Sequence, residues 1–403
     1  MAALKDLFKN PTAAELQLTE RFAGLPENPQ RTRNFEAFAK TGLPHRRVEA
    51  WKYSDLRNAL KELPAELSAD APASAFSGLG GVSEIHLTDG QVKLPKGLKL
   101  VSDENVSALG GAEDIPVAAL SAALASNRQA LLIDVTESPD APLHIVFDAK
   151  TASAFERISF RIREGVSLDV FETHTRAGGF SNVVIEYSLE KGAALSRHMY
   201  QAANVDAVQL ICAIVHLEAE AKLEQSCLGF GAKLCRNETR VFHRGEGASA
   251  NMNAAYLVGD GFHNDLTSLV RHSKGGCDTE QLVKGAIMDG GRAVFQGKFY
   301  VAKNAQKTAA EMSHNALILE NGGEVNAKPE LEIYADDVEC AHGNTVGALD
   351  DDALFYIRQR GVPAKEARAL LTEAFIAEAL EAVPNAQREI MKDEARSWLT
   401  ARL

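Results

Sequence analysis

The sequence predicts an all-β core, a parallel β-helix, with α-helical subdomains at its N- and C-terminal ends. Three observations predict it. The 403-residue chain is 45% apolar and 24% charged, a globular composition with room for a large core, in two or three domains or one elongated one. From about residue 140 the helical pattern gives way to short, β-branched alternation in Phe155–Ile162, Val166–Val170 and Val183–Tyr187. Between such runs an acidic or glycine turn recurs, at Glu164-Gly165, Glu190-Lys191-Gly192, Glu218-Ala219-Glu220, Glu246-Gly247 and Gly275-Gly276, about 26 to 30 residues apart. Further small-residue turns follow at Gly290-Gly291, Asn304-Ala305 and Gly322-Gly323. One coil of that length cannot cover its own apolar face, so coils stack and share a continuous core. A sandwich of antiparallel hairpins is the rival, and a run of roughly 200 residues without a long loop is large for one. A β-helix leaves open edges at its ends, which caps or a second chain must cover.

The boundaries expected are a helical N-terminal subdomain with linker over 1–82, a β-helix core over 83–347 with regular coils from about residue 140, and a helical C-terminal subdomain over 348–403. Thr12-Ala13-Ala14-Glu15 is a capping box, in which hydroxyl and carboxylate satisfy the orphan amides of a helix start. Leu16, Leu18 and Phe22 follow, and Gly24 with Pro26 ends the helix. Asn28-Pro29 opens a second helix with proline at the first helical position, where its missing N–H costs nothing. Phe35 and Phe38 form its apolar stripe, and Gly42 with Pro44 ends it. In Arg46–Leu56 two arginines and two large aromatics fit a ligand clamp, but packing of the helical cap onto the core is preferred. Residues 64–82, rich in Ala, Ser, Pro and Gly, read as a linker or surface segment.

After Gly347 the strand pattern stops. Asp350-Asp351-Asp352 loads a helix start with favourable negative charge. Leu354 and Ile357 give it a stripe and Gly361 closes it. A second helix opens at Pro363, with Ala367, Leu370, Leu371, Ala374, Phe375 and Leu380 as a broad apolar face; a third carries Ile390, Met391, Trp398 and Leu399. Such surface either folds back on the core or docks a partner.

The net charge of −12 gives no electrostatic reason for a nucleic-acid or anionic-membrane partner. No run reaches the ~18 apolar residues of a spanning helix, and the first twenty residues show no apolar secretory core, so a cytoplasmic protein is expected. Five cysteines without CxxC spacing argue against a disulfide framework or a self-contained zinc site; Cys212, Cys227, Cys235 and Cys277 read as small buried hydrophobes. The nearest approach to a P-loop, Gly291 to Gly297-Lys298, has the wrong spacing and Phe299 after the lysine. There is no HExxH and no GxSxG elbow. No catalytic residue is assigned, and His243, His263, His272 and His314 read as hydrogen-bonded or surface histidines.

Chemistry concentrates in Lys328–Gly347. Leu331, Ile333 and Val338 give a short strand pattern, at whose end stand Cys340 and His342. In a strand residues i and i+2 point the same way, so a thiol and an imidazole share one face. That is half a metal site; the other half must come from elsewhere in the fold or from another chain.

Four segments carry a resemblance: Trp51–Leu56 (WKYSDL), Lys328–Ile333 (KPELEI), Cys340–Gly347 (CAHGNTVG) and Leu354–Gly361 (LFYIRQRG). Together with the order of parts they resemble the SufB/SufD family of iron–sulfur cluster assembly proteins, and within it the SufD branch. The resemblance implies a right-handed β-helix and a non-catalytic scaffold subunit. The place of a cluster-related cysteine of SufB falls on Gly323, and that of a neighbouring glutamate on Gly343. It also implies that His342, with Cys340 beside it, contributes to a metal site completed across a subunit interface. By the same resemblance an iron–sulfur cluster there is expected to be transient and shared with SufB, with none tightly bound to the isolated chain. The resemblance further implies that a SufB-like subunit pairs with the β-helix edge, and a homodimer is an open expectation for the chain when alone. The resemblance also implies that a SufC-like ATPase, which would carry the ATPase activity, docks on the C-terminal helices, for which Phe355, Tyr356, Arg358, Arg360, Gly361, Leu371 and Phe375 are the candidate contacts. The competing expectations are a β-helix enzyme acting on carbohydrate and a purely structural homodimeric solenoid.

Overall fold

The computed structural model describes residues 8, 10–67, 70–76, 78–86, 94–101, 115–125, 131–147 and 149–403. The N-terminal segment through Leu7 and parts of the expected linker (Ser68, Ala69 and Ser77) lie outside them. The strands described are β1 (Ser83–His86), β2 (Leu98–Val101), β3 (Leu131–Val135), β4 (Leu143–Phe147), β5 (Ser153–Ile162), β6 (Ser167–Arg176), β7 (Phe180–Leu189), β8 (Ala194–Ala203), β9 (Val208–Leu217), β10 (Lys222–Gly229), β11 (Leu234–His243), β12 (Ser249–Val258), β13 (His263–His272), β14 (Asp278–Ile287), β15 (Arg292–Val301), β16 (Ala309–Ile318), β17 (Glu324–Ile333) and β18 (Glu339–Gly347). From β4 onward successive strands alternate between two nine-stranded sheets, β1-β4-β6 to β18 and β2-β3-β5 to β17. Except for the antiparallel pair β2–β3, neighbours run parallel. Each coil therefore gives one strand to each sheet, which is a β-helix and not a hairpin sandwich. Residues 27 apart meet at Ser167 and Ala194, and residues 32 apart at Arg292 and Glu324.

The turns stack as regularly as the strands, in two columns. One column joins the second sheet to the first through Gly165, Gly192, Glu220, Gly247, Gly276 and Lys307, with φ between 60° and 68°. Each backbone N–H of this column donates to the turn above, as in Gly165 to the Lys191 carbonyl at 3.0 Å and Lys307 to that of Asp337 at 2.7 Å. The left-handed conformation favours glycine, which explains the recurrence of that residue. Gly290 and Gly322 belong to the opposite column, returning from the first sheet to the second. Strands also begin before residue 140, at β1 to β3, with a helix, Pro116–Leu124, among them.

The apolar lumen runs the length of the coils, from Ile85 and Leu143 through Val215, Met252 and Phe295 to Met312. Helices cover the two outer faces. At the N-terminal end α1 (Ala13–Ala23), α2 (Pro29–Ala39) and α3 (Leu56–Ala59) precede α4 (Pro116–Leu124). Thr12 and Glu15 form the expected capping box, at 3.2 Å and 2.7 Å, and Asn28 caps α2. Leu18, Phe35 and Phe38 join Phe155, Phe180 and Ile214 of the second sheet in one cluster. Trp51 is buried beneath the Arg236 guanidinium, 4.2 Å from its ring centroid, and Ser54 donates to Asp265 at 2.5 Å. This part of the Arg46–Leu56 segment is packing; Arg46 and Arg47 stay exposed.

The C-terminal helices are α5 (Asp351–Gln359), α6 (Ala364–Ala377) and α7 (Asn385–Arg402). Ile376, Leu380, Met391 and Leu399 pack on Tyr200, Leu228 and Leu257 of the first sheet and on Phe230 just beyond β10. The buried face of α6 is Ala367, Ala369, Thr372, Glu373 and Ile376; Leu370 and Ala374 of the expected apolar face are exposed. The sheet accepts two polar groups there because Glu373 is held by Arg396 at 2.7 Å and Thr372 by the Arg368 carbonyl at 2.8 Å. No helix among the described residues is long and apolar enough to cross a membrane.

Candidate functional site

The last coil carries the Lys328–Gly347 stretch as two strands in different sheets, not one. Leu331 and Ile333 belong to β17, Cys340 and His342 to β18, and Val338 to the connection between them. In β18, Cys340 stands over Ala310, His342 over Met312, Asn344 over His314 and Val346 over Ala316. The four partners below are buried lumen residues, so the row above them faces the same lumen. Across it, Val325, Leu331 and Ile333 stand over Ala293, Phe299 and Val301. No further coil lies on this one among the described residues. Cys340 is therefore half-buried and His342 and Asn344 exposed, and apolar Ile333 and Val346 are 38% and 46% exposed.

Cys340, like Val338, packs against the cluster of Val301, Ala305 and Ala335. Burial pushes its thiol above the ordinary value, and the Ala310 backbone pulls it partly back. Such a thiol becomes a thiolate ligand when a metal displaces its proton. With the imidazole of His342 it supplies two donors of the kinds that suit iron or an iron–sulfur assembly. No group of three His, Cys, Asp or Glu residues placed to hold a metal ion occurs among the described residues. Gly323 gives no room for another ligand: a Cβ there would fall 2.8 Å from Ile287 Cγ2, whereas one at Gly343 would meet open space.

The seven residues expected to dock a partner divide into two groups. Helix α5 buries no residue, and its Phe355 and Tyr356 are 63% and 60% exposed. Arg360 lies 4.6 Å from the Tyr356 ring centroid, Arg358 is exposed, and Gly361 ends the helix at φ 89°. Leu371 and Phe375 are half-buried on α6, and Phe375 lies under the Lys284 ammonium at 4.4 Å, against the first sheet. Part of this apolar surface thus folds back on the solenoid, and α5 remains outside.

Two described clefts lie elsewhere. One of about 500 Å³ is lined by Asp70, Glu84, His86, His144 and Lys150, and one of about 460 Å³ by Asp169, Glu224, Asp278 and Glu280. Neither reaches β18. The remaining cysteines are free and buried, as expected, and burial holds the Cys227 thiol at about 11. Sequence reasoning passed over Asn344, which shares the row of Cys340 and His342. Its position two residues beyond His342 in a strand was the available signal.

Residues 145–375 match the family model described as the SUF system FeS cluster assembly, SufBD core domain. The chain is 28% identical over 389 residues to the iron–sulfur cluster assembly protein SufD of Escherichia coli, covering 89% of this chain and 90% of that one. It is 32% identical over 248 residues to the chloroplastic protein ABCI7 of Arabidopsis thaliana, covering 60% and 51%. A Synechocystis SufBD family protein is 30% identical over 205 residues, 51% of this chain and 45% of its own. With a parallel β-helix, an open last coil and this match over more than half its length, the chain belongs to the SufBD family of iron–sulfur cluster assembly proteins.

Proposed function

We propose that this chain is a non-catalytic scaffold subunit of a cytoplasmic SufB–SufC–SufD type complex. Its β-helix core, over 83–347, ends in an edge that pairs with a SufB-like subunit. The observation that carries this reading is the uncovered last coil, where a Cys/His row opens toward the missing partner. Exposed Ile333 and Val346 beside it are surface that a paired subunit would bury. His342 and Cys340 contribute ligands to a cluster that is cargo, completed by the partner. Ligation by an imidazole is more easily displaced by protonation than full thiolate ligation, which suits a cluster to be handed on.

The subdomain over 348–403 anchors a SufC-like ATPase. Phe355 and Tyr356 on the otherwise unburied helix α5 support this, with Arg358, Arg360 and Gly361 beside them and Leu371 and Phe375 supporting from α6. Movement of the ATPase on nucleotide turnover would then open the interface between the two β-helix subunits.

Anaerobic co-expression with SufB-like and SufC-like partners tests the reading. His342→Ala is expected to leave the complex intact and to abolish cluster absorbance, and Cys340→Ala to reduce it. Phe355→Ala with Tyr356→Ala is expected to release the ATPase on size-exclusion chromatography. Wild-type cluster yield from His342→Ala refutes the ligand role, and retention of the ATPase by the double variant refutes the docking surface.

A further inference from the structure

Beneath the last coil, a polar relay runs up the wall of the first sheet from β12 through β16 to β18. The side chain of His314, buried in β16, reaches Asn344 Oδ1 from Nδ1 at 2.6 Å and the Tyr256 hydroxyl from Nε2 at 2.8 Å. A carboxamide oxygen only accepts, so Nδ1 carries the hydrogen. Burial holds the imidazole neutral, with a proton affinity lowered to about 4, so Nε2 is bare and accepts from Tyr256. Both ring nitrogens are then satisfied in one tautomer.

Two glycines make room for this arrangement. Tyr256 lies three coils below Val346 in its column, and a Cβ on Gly285, the residue next above it, would fall 2.0 Å from its ring. Phe295 stacks on His314 with ring centroids 4.7 Å apart, and a Cβ on Gly297 would come within 2.8 Å of that phenyl ring. A buried histidine needs hydrogen-bond partners, but it does not need an exposed one. Here the relay ends on Asn344, fixes its oxygen inward, and leaves its two N–H donors on the exposed side. Asn344 lies two residues beyond His342 on the same strand face, about 6.6 Å away along the strand.

We infer that Asn344 is a third member of the site, and that its carboxamide N–H donates to an anionic sulfur, a sulfide or thiolate of the cargo cluster, beside His342. Tyr256 and His314 are positioning residues that set the direction of that donor. This inference rests on the proposed cluster site. Donors directed at cluster sulfur stabilise the more reduced, more negative state and raise the reduction potential.

The test uses the anaerobic complex with its partners, reading cluster yield and the midpoint potential by redox titration. Asn344→Ala is expected to keep a folded complex, lower the yield and shift the potential to a more negative value. Tyr256→Phe, which frees the His314 tautomer and lets the amide turn over, is expected to shift it in the same direction by less. An unchanged potential in Asn344→Ala, with the cluster lost in His342→Ala, overturns this inference and leaves the proposed site standing. A full yield at wild-type potential in His342→Ala removes the site itself, and this inference with it.

Discussion

The middle of the lumen and its open end use the same positions for different purposes. Between β6 and β8, Glu172 is fully buried and is held by Arg197 at 2.6 Å, His174 at 3.0 Å and the Tyr187 hydroxyl at 2.8 Å. Burial alone would raise its proton affinity, but the Arg197 charge and the hydrogen bonds from His174 and Arg197 outweigh that and hold it at about 2. This ion pair is closed in by coils on both sides. Three lumen columns end differently: Ala250, Thr279 and Ala310 rise to Cys340; Met252, Gln281 and Met312 rise to His342; Ala254, Val283 and His314 rise to Asn344. Every residue below β18 in these columns is buried, and the terminal three are not. A polar lumen residue is structural where a coil covers it, and available for chemistry where none does.

Substitutions along the lumen sharpen this contrast. The largest loss is expected from Glu172→Ala, which strands Arg197 in the core and costs about 3–5 kcal/mol by chemical denaturation. Because folding depresses the proton affinity of Glu172, the unfolded state takes up the proton first. Its contribution is present above the ordinary glutamate value of 4.5 and is lost as pH falls toward about 2. The pH profile of Glu172→Gln should lack that slope. Met312→Ala, directly under His342, should cost about 2–5 kcal/mol through the cavity it leaves.

Gly285→Ala is a smaller, steric perturbation. The added methyl displaces the Tyr256 ring, with an expected cost of about 1–3 kcal/mol. At the end of the series, His342→Ala should change stability by no more than about 0.5 kcal/mol while removing the cluster from the complex. A loss at His342 as large as that at Met312 would break the comparison, since it would make the open end as structural as the middle.

Local signals were legible because they depend on residues a few positions apart. The capping box at Thr12 and Glu15, the proline that opens α2, and the left-handed turn residues Gly165, Gly192, Glu220, Gly247 and Gly276 lie where the sequence placed them. Cys340 and His342 also fall in one strand, which their spacing alone predicts once a strand is granted. The division of the turns into two columns, and the choice of which α6 residues are buried, are absent from the sequence for a common reason. Spacing along a chain does not say which side of a coil a turn occupies, or which helix face meets a sheet. Whether a lumen residue is covered, and which partners His314 finds, depends on contacts between residues 27 to 58 positions apart. The sequence by itself determined a repeating parallel β-helix with helical ends and a Cys/His pair near its last coil. Only the tertiary structure decided that this coil is uncovered and that Asn344 joins the row, because burial and register arise from stacking and not from any one segment.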